Sequence, residues 1–186
     1  MSGPSMEKFV LIGDPKVGKN SMHITFVTNV FPIVRMNPLW RTIIVVPSTS
    51  TGNRSFVMSV VDCGEGYERL RPISYPHTDA FLACFSIANR DSFDAVRSTW
   101  VPEIRYFCPD VPFIVVGTKI DLRDDSDLIA ELARQDKRLV ASEEGERLGF
   151  ELGAAKYVEC STLARKGLYN VFEELKSLPL SGNRHA

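Results

Sequence analysis

Apolar positions along the chain form short runs separated by longer stretches with helical spacing. Residues 9–12, 80–87 and 113–116 are almost continuously apolar, a pattern typical of strands buried on both faces of a sheet. A similar run at 157–160 indicates a last strand. The stretches between the runs predict helices at about 18–27, 91–106, 124–138, 142–152 and 167–177. This alternation is typical of an α/β fold, in which helices cover both faces of a mostly parallel sheet.

Two further strand-like runs, at 42–47 and 55–62, follow each other directly in the sequence. The segment between them, 48–54, is polar and contains the pair Gly52-Asn53, which is typical of a hairpin turn. A hairpin makes its two strands antiparallel neighbours. The expected sheet therefore has six strands, with one antiparallel strand at its edge.

The composition predicts one domain over residues 1–186, with a frayed tail at 178–186. The formal net charge of −1 gives no field that would attract nucleic acid. No apolar run is long enough for a transmembrane helix. Cys84 and Cys160 fall in apolar runs, so we expect buried free thiols and a reducing, cytoplasmic location.

Residues 13–20 match the pattern G-x-x-x-x-G-K between the first strand and the first helix. Backbone N–H groups of such a loop, together with the helix N-terminus, bind phosphate, and Lys19 adds a positive charge. Asn20 stands where the motif has the Mg²⁺-binding Ser or Thr, so we expect weak or absent Mg²⁺. The predicted phosphate-loop contacts are Pro15, Lys16, Val17, Gly18, Lys19, Asn20 and Ser21.

A base-recognition motif, Thr118-Lys119-Ile120-Asp121, follows the run at 113–117. The Asp121 carboxylate can accept hydrogen bonds from guanine N1–H and the exocyclic amine, a pair of donors that adenine lacks. The Lys119 stem can lie along the ring. Backbone N–H groups after the last strand would complete the base pocket at Ser161, Thr162 and Leu163. Together the two motifs predict binding of GTP or GDP.

The runs at 70–79, 116–125 and 156–163 resemble the Rho family of Ras-like small GTPases, and the resemblance extends over residues 8–175. The stretch at 124–138 is similar to the Rho-specific insert helix. The resemblance implies a P-loop small-GTPase fold that binds guanine nucleotide, Mg²⁺ and protein effectors or regulators. By the same alignment, Phe31 would pack on the guanine face, Asp62 would hold Mg²⁺ together with Asn20, and the Gly64 N–H would contact the γ-phosphate.

The sequence departs from that family where the chemistry is performed. Segment 62–67 has no Gln to orient an attacking water, and segment 36–41 has no Thr to close over the metal. With Asn20, three groups needed for hydrolysis are missing. We therefore assign no catalytic residue and expect very slow or absent GTP hydrolysis.

Three functions remain open from the sequence. The favoured one is a signalling pseudo-GTPase that binds guanine nucleotide and acts as a protein-interaction module. A second is a conventional GTP/GDP-cycling switch, in which Glu65 or a shifted Thr42 replaces a missing group. A third is a nucleotide-free scaffold that binds partners through Trp40, Tyr67 or the insert helix. The tail at 178–186 has no Cys for lipidation, so either a lipidated segment has been removed or the protein is not lipid-anchored. We expect a cytoplasmic monomer that can become peripheral to membranes through partners.

Overall fold

A computed structural model describes residues 7–32, 42–47, 55–61 and 68–179. The strands in these ranges are β1 (Glu7–Gly13), β2 (Thr42–Pro47), β3 (Ser55–Val60), β4 (Ala80–Ser86), β5 (Phe113–Thr118) and β6 (Lys156–Cys160). The α-helices are α1 (Lys19–Thr28), α2 (Arg90–Ala95), α3 (Val101–Phe107), α4 (Ser126–Arg134), α5 (Ser142–Glu151) and α6 (Leu168–Lys176). None of these helices has the length and apolar character needed to cross a membrane. The predicted turn at 48–54 and tail residues 180–186 lie outside the described ranges.

The strands form one sheet in the order β2-β3-β1-β4-β5-β6. Strands β3, β1, β4, β5 and β6 are parallel to one another, which confirms the expected α/β fold with a parallel sheet. At the edge, β2 runs antiparallel to β3, with Thr42 opposite Val60 and Pro47 opposite Ser55. The nearly continuous apolar runs of the sequence are therefore the inner strands β1, β4 and β5, which have neighbours on both sides.

The hydrophobic core has two layers, one on each face of the sheet. Successive residues of β1 alternate between them: Phe9 and Leu11 face one layer, and Val10 and Ile12 face the other. Helices α1 and α6 cover the first layer. Helices α2, α3 and α5 cover the second. This double covering explains why these strands carry apolar residues at every position rather than at alternate ones.

The helix predicted at 91–106 differs from the expectation in its start and its continuity. It begins at Arg90, because the Asn89 side chain accepts a hydrogen bond from the Ser92 N–H at 3.1 Å and caps the first turn. A π-helical segment, Val96–Trp100, then separates α2 from α3. Pro102 has no N–H to donate to the preceding turn, so regular α-helical hydrogen bonding cannot continue through this point.

Helix α4 is shorter than the predicted stretch 124–138. Asp125 caps its start by accepting a hydrogen bond from the Leu128 N–H at 2.9 Å. Its end is a Schellman motif: Asp136 has a left-handed backbone, and the Lys137 N–H donates to the Leu132 carbonyl at 2.8 Å. Both ends of this helix are therefore set by local hydrogen bonds.

Gly13 ends β1 at a point where no side chain fits. Its φ is +140°, and a Cβ there would lie 2.1 Å from the backbone oxygen of Cys84 on the neighbouring strand β4. Only glycine allows β1 to remain paired with β4 and turn at once into the next loop.

The prediction that Cys84 and Cys160 are buried free thiols is confirmed. Both are fully buried and neither forms a disulfide. Burial raises the pKa of Cys84 to about 12, because a thiolate would lose its hydration in the core. Both residues therefore serve as small apolar core groups.

His23 is a polar exception in the core. It lies on α1 and is fully buried, and neither ring nitrogen has a hydrogen-bond partner among the described residues. Burial lowers the pKa of His23 from 6.5 to about 4, since the charged ring would lose its hydration. The ring is therefore neutral in the folded chain at pH 7, and its unpaired nitrogens destabilise the fold.

We expect His23→Leu to raise the free energy of unfolding by about 1–3 kcal/mol at pH 7.5, because it removes unpaired polar atoms from the core. The gain should grow as the pH falls from about 7 towards 4. In that interval the unfolded ring gains a proton and the folded ring does not. Urea unfolding at pH 7.5 and 5.0 measures both effects, with His77→Asn at the exposed His77 as control. An equal gain at both pH values would contradict a buried neutral ring.

Candidate functional site

The predicted site residues come from loops that follow the carboxyl ends of β1, β5 and β6. Because these strands are parallel members of one sheet, their carboxyl ends meet at the same edge. Segments 14–18, 119–121 and 161–163 are therefore neighbours, although more than a hundred residues separate the first from the others.

The phosphate loop closes around a lysine. Lys19 is 2% exposed, and its ammonium donates hydrogen bonds to the carbonyls of Gly13 at 2.8 Å and Asp14 at 2.7 Å. Helix α1 begins here after Gly18, which has a φ of +108°, and no side chain caps its N-terminus. The first N–H groups of α1 thus keep their capacity to bind an anion, and the residues fit a bound phosphate group.

Two hydrogen bonds join the phosphate loop to the base-recognition motif. The Thr118 hydroxyl donates to the Val17 carbonyl and also lies 2.9 Å from the Phe85 carbonyl oxygen. The Lys119 ammonium donates to the Lys16 carbonyl at 2.8 Å. Burial lowers the pKa of Lys119, while the nearby Asp121 carboxylate opposes this shift. The two loops therefore hold a single relative position.

The third loop contacts the base motif through Ser161. Its hydroxyl donates to the Asp121 carboxylate and accepts from the Ala164 N–H at 2.9 Å. Its backbone pairs with Lys166 in both directions, at 2.8 and 3.0 Å, which closes the loop 161–166. Because a carboxylate can accept about four hydrogen bonds, Asp121 keeps acceptor capacity for a ligand.

The remaining predicted residues lie around these loops or outside the described ranges. Pro15 and Lys16 are exposed at the tip of the phosphate loop, and Asn20 and Ser21 are half-buried in the first turn of α1. Thr162 is buried, Leu163 is exposed, and Phe31 is half-buried after the end of α1. The predicted residues Asp62 and Gly64 lie outside the described ranges, as does the segment 36–41.

Of the two predicted metal ligands, Asn20 alone lies in a described range. It would offer Mg²⁺ an amide oxygen in place of a hydroxyl. Within the described part of the chain, no three His, Cys, Asp or Glu side chains cluster as a metal site would require.

A half-buried ionic network, which the sequence interpretation missed, connects the segment after the base motif to strand β6. Arg123, two residues after Asp121, makes two hydrogen bonds of 2.7 Å to the carboxylate of Glu159, two residues before Ser161. Glu159 also accepts from the hydroxyls of Tyr157 at 2.6 Å and Ser142 at 3.1 Å. The sequence did contain a signal for this pair: a positive residue two positions after Asp121 and a negative residue two positions before Ser161.

The protonation states within this network reinforce it. Burial opposes ionisation of Glu159, but the hydrogen bonds from Arg123 and Tyr157 outweigh this effect and lower its pKa. Burial and the neighbouring carboxylate together raise the pKa of Tyr157. Glu159 is thus an acceptor and Tyr157 a donor at neutral pH. The ionised Glu159 carboxylate in β6 therefore binds Arg123 in the segment after β5.

Comparison with known protein families agrees with this geometry. The model of the Ras family matches residues 8–178, a range that includes all three loops of the site.

We expect Glu159→Gln to lower the free energy of unfolding by about 1–3 kcal/mol, because Arg123 then loses its charged partner in a half-buried position. Hydrogen exchange at residues 119–123 should also become faster. The matched control is Glu151→Gln, since Glu151 pairs with Arg97 at an exposed position and its loss should cost only about 0–0.5 kcal/mol. Equal losses in the two variants would contradict an anchoring role for Glu159.

Proposed function

This chain belongs to the Ras family of GTP-binding small GTPases, and we propose that it is a Rho-like member whose hydrolysis is impaired. In this proposal, it holds guanine nucleotide, hydrolyses GTP very slowly or not at all, and acts as a module that binds protein effectors or regulators. Members of the family typically bind GTP or GDP with Mg²⁺.

The observation that carries the proposal of nucleotide binding is the direct bonding between the two motifs. Thr118 and Lys119 donate to the phosphate-loop carbonyls of Val17 and Lys16. A base pocket and an anion nest held at a constant separation are what a nucleoside di- or triphosphate requires. In the proposed arrangement, Lys19 contacts the phosphates and Asp121 contacts guanine. Phe31 and the loop 161–163 complete the base pocket.

Support for impaired hydrolysis comes from the chemistry of three positions. Asn20 supplies an amide oxygen at the start of α1, where a hydroxyl normally binds Mg²⁺. Segment 62–67 keeps Asp62 and Gly64 but has no Gln, and segment 36–41 has no Thr. Catalysis of phosphoryl transfer depends mainly on positioning and on stabilising charge. Loss of these groups should lower the hydrolysis rate far more than the affinity for nucleotide.

Support for a Rho-like identity comes from α4. This helix follows the base motif directly, none of its residues is buried, and both its ends are closed by local hydrogen bonds. Such a helix contributes little to the core, as expected of an insert. Its exposed face is one surface on which an effector or regulator could dock.

The first test is the nucleotide that the purified protein carries. We expect denaturation to release stoichiometric GTP, and single-turnover hydrolysis to be at least tenfold slower than the roughly 4 × 10⁻⁴ s⁻¹ typical of an unassisted small GTPase. Hydrolysis at the family's ordinary rate would instead indicate a conventional switch. A protein that carries and binds no guanine nucleotide would indicate a scaffold.

The second test addresses base choice. Asp121→Asn should weaken GTP binding by about a hundredfold or more, because the amide N–H₂ meets the guanine donors. The same variant should gain affinity for xanthosine triphosphate, whose carbonyl at position 2 accepts from that amide. The control is Asp124→Asn, an exposed position in the same loop that should bind GTP normally. Unchanged GTP affinity in Asp121→Asn would remove Asp121 from the site.

A further inference from the structure

Trp100 connects the phosphate loop to the π-helical segment between α2 and α3. It ends the π-helical segment Val96–Trp100 and is 5% exposed. Its indole N–H donates to the Asp14 carboxylate at 2.7 Å. Asp14 is the second residue of the phosphate loop, and its carbonyl also accepts from Lys19. Single π-helical turns inside α-helices often occur at functional sites.

The face of the same indole ring carries a cation. The Arg71 guanidinium carbon lies 4.7 Å from the centre of the Trp100 ring. Arg71 also binds Glu103 through two hydrogen bonds, at 3.2 and 2.6 Å, and both side chains are about 85% buried, with 13% and 15% exposed. Tyr75 donates its hydroxyl to the same carboxylate. Arg71 is therefore held firmly in place above the ring.

Arg71 belongs to a 3₁₀-helical segment, Glu68–Ser74, that directly follows residues 62–67. By the family resemblance, residues 62–67 align with the second switch, the loop that carries the water-orienting Gln in other members. A single aromatic ring is thus bonded at its edge to the phosphate loop and at its face to the segment that follows the switch. A displacement of residues 68–74 would therefore move the Trp100 ring and, through its N–H, the phosphate loop.

We propose that Trp100 is a positioning residue that couples the segment 68–75 to the phosphate loop, and so sets how long a nucleotide stays bound. The inference rests on the proposal that residues 13–20 hold the nucleotide phosphates. Asp14 brings a negative charge into a loop built to bind anions. The indole N–H donates a hydrogen bond to that carboxylate and holds it towards the π-helical segment. The N–H groups of the loop are thus left available for phosphate.

Trp100→Phe tests the edge contact, because phenylalanine keeps an aromatic face for Arg71 but lacks the N–H donor, along with the second ring of the indole. We expect faster hydrogen exchange at residues 13–17 in the nucleotide-free protein, with exchange in β5 and α6 unchanged. We also expect about tenfold faster release of a fluorescent GTP analogue. The control is Tyr106→Phe, which alters an exposed aromatic residue in the following helix α3 and should change neither measurement.

Arg71→Lys tests coupling through the ring. Lysine keeps the charge but loses the two-pronged bond to Glu103 and the planar stacking. It should speed exchange at residues 13–17, and this effect should disappear in the Trp100→Phe background. Additive effects in the double variant, or no effect of Arg71→Lys on residues 13–17, would overturn the coupling.

The two readouts separate this inference from the proposed function. Exchange in the nucleotide-free protein reports the coupling alone. If the coupling is present but the unmodified protein binds no guanine nucleotide, the proposed function and the effect on nucleotide release are both overturned. If nucleotide binds but Trp100→Phe changes neither exchange nor release, the coupling alone is overturned.

Discussion

The parallel pairing of β1, β4, β5 and β6 is the constraint on which the rest of this structure depends. It brings the ends of distant strands to one edge, and it demands a close approach at Gly13, where β1 meets the Cys84 carbonyl of β4. Apolar side chains on both faces pack the sheet against its helices. The polar loops that follow β1, β5 and β6 lie together at its carboxyl edge. The site is therefore a consequence of strand order.

Two lysines of the candidate site, Lys19 and Lys119, are oriented by backbone carbonyls. Lys19 bonds to Gly13 and Asp14, and Lys119 bonds to Lys16. A carbonyl oxygen directs an ammonium group without cancelling its charge, so this arrangement suits lysines that are to meet phosphate or lie along a base. Two arginines outside the candidate site are instead paired with carboxylates. Arg123 and Arg71 each form a two-pronged bond with a carboxylate, which satisfies the charge and fixes the position of a loop.

The fold and the two nucleotide motifs could be predicted because their signals are local. A continuous apolar run indicates a doubly covered strand wherever it occurs, and G-x-x-x-x-G-K between a strand and a helix has few structural alternatives. Helix boundaries were less predictable. The start at Arg90 depends on a hydrogen bond from Ser92 to Asn89, and the π-helical segment depends on how Pro102 disturbs the backbone ladder. In both cases the boundary depends on which backbone or side-chain groups form hydrogen bonds. The spacing of apolar residues along the sequence does not show this.

The sequence by itself determined the α/β alternation, and it predicts the phosphate loop at 13–20 and Asp121 as the base-recognition residue, because each of these depends on residues adjacent along the chain. Only the tertiary structure decided which distant groups support them. The contact between Asp14 and Trp100 spans 86 positions, and that between Arg123 and Glu159 spans 36. His23 looks ordinary in the sequence, but in the fold its ring is buried and neither nitrogen has a hydrogen-bond partner among the described residues. Burial and long-range hydrogen bonding depend on which surfaces the packed sheet and helices bring together, and no local pattern encodes that.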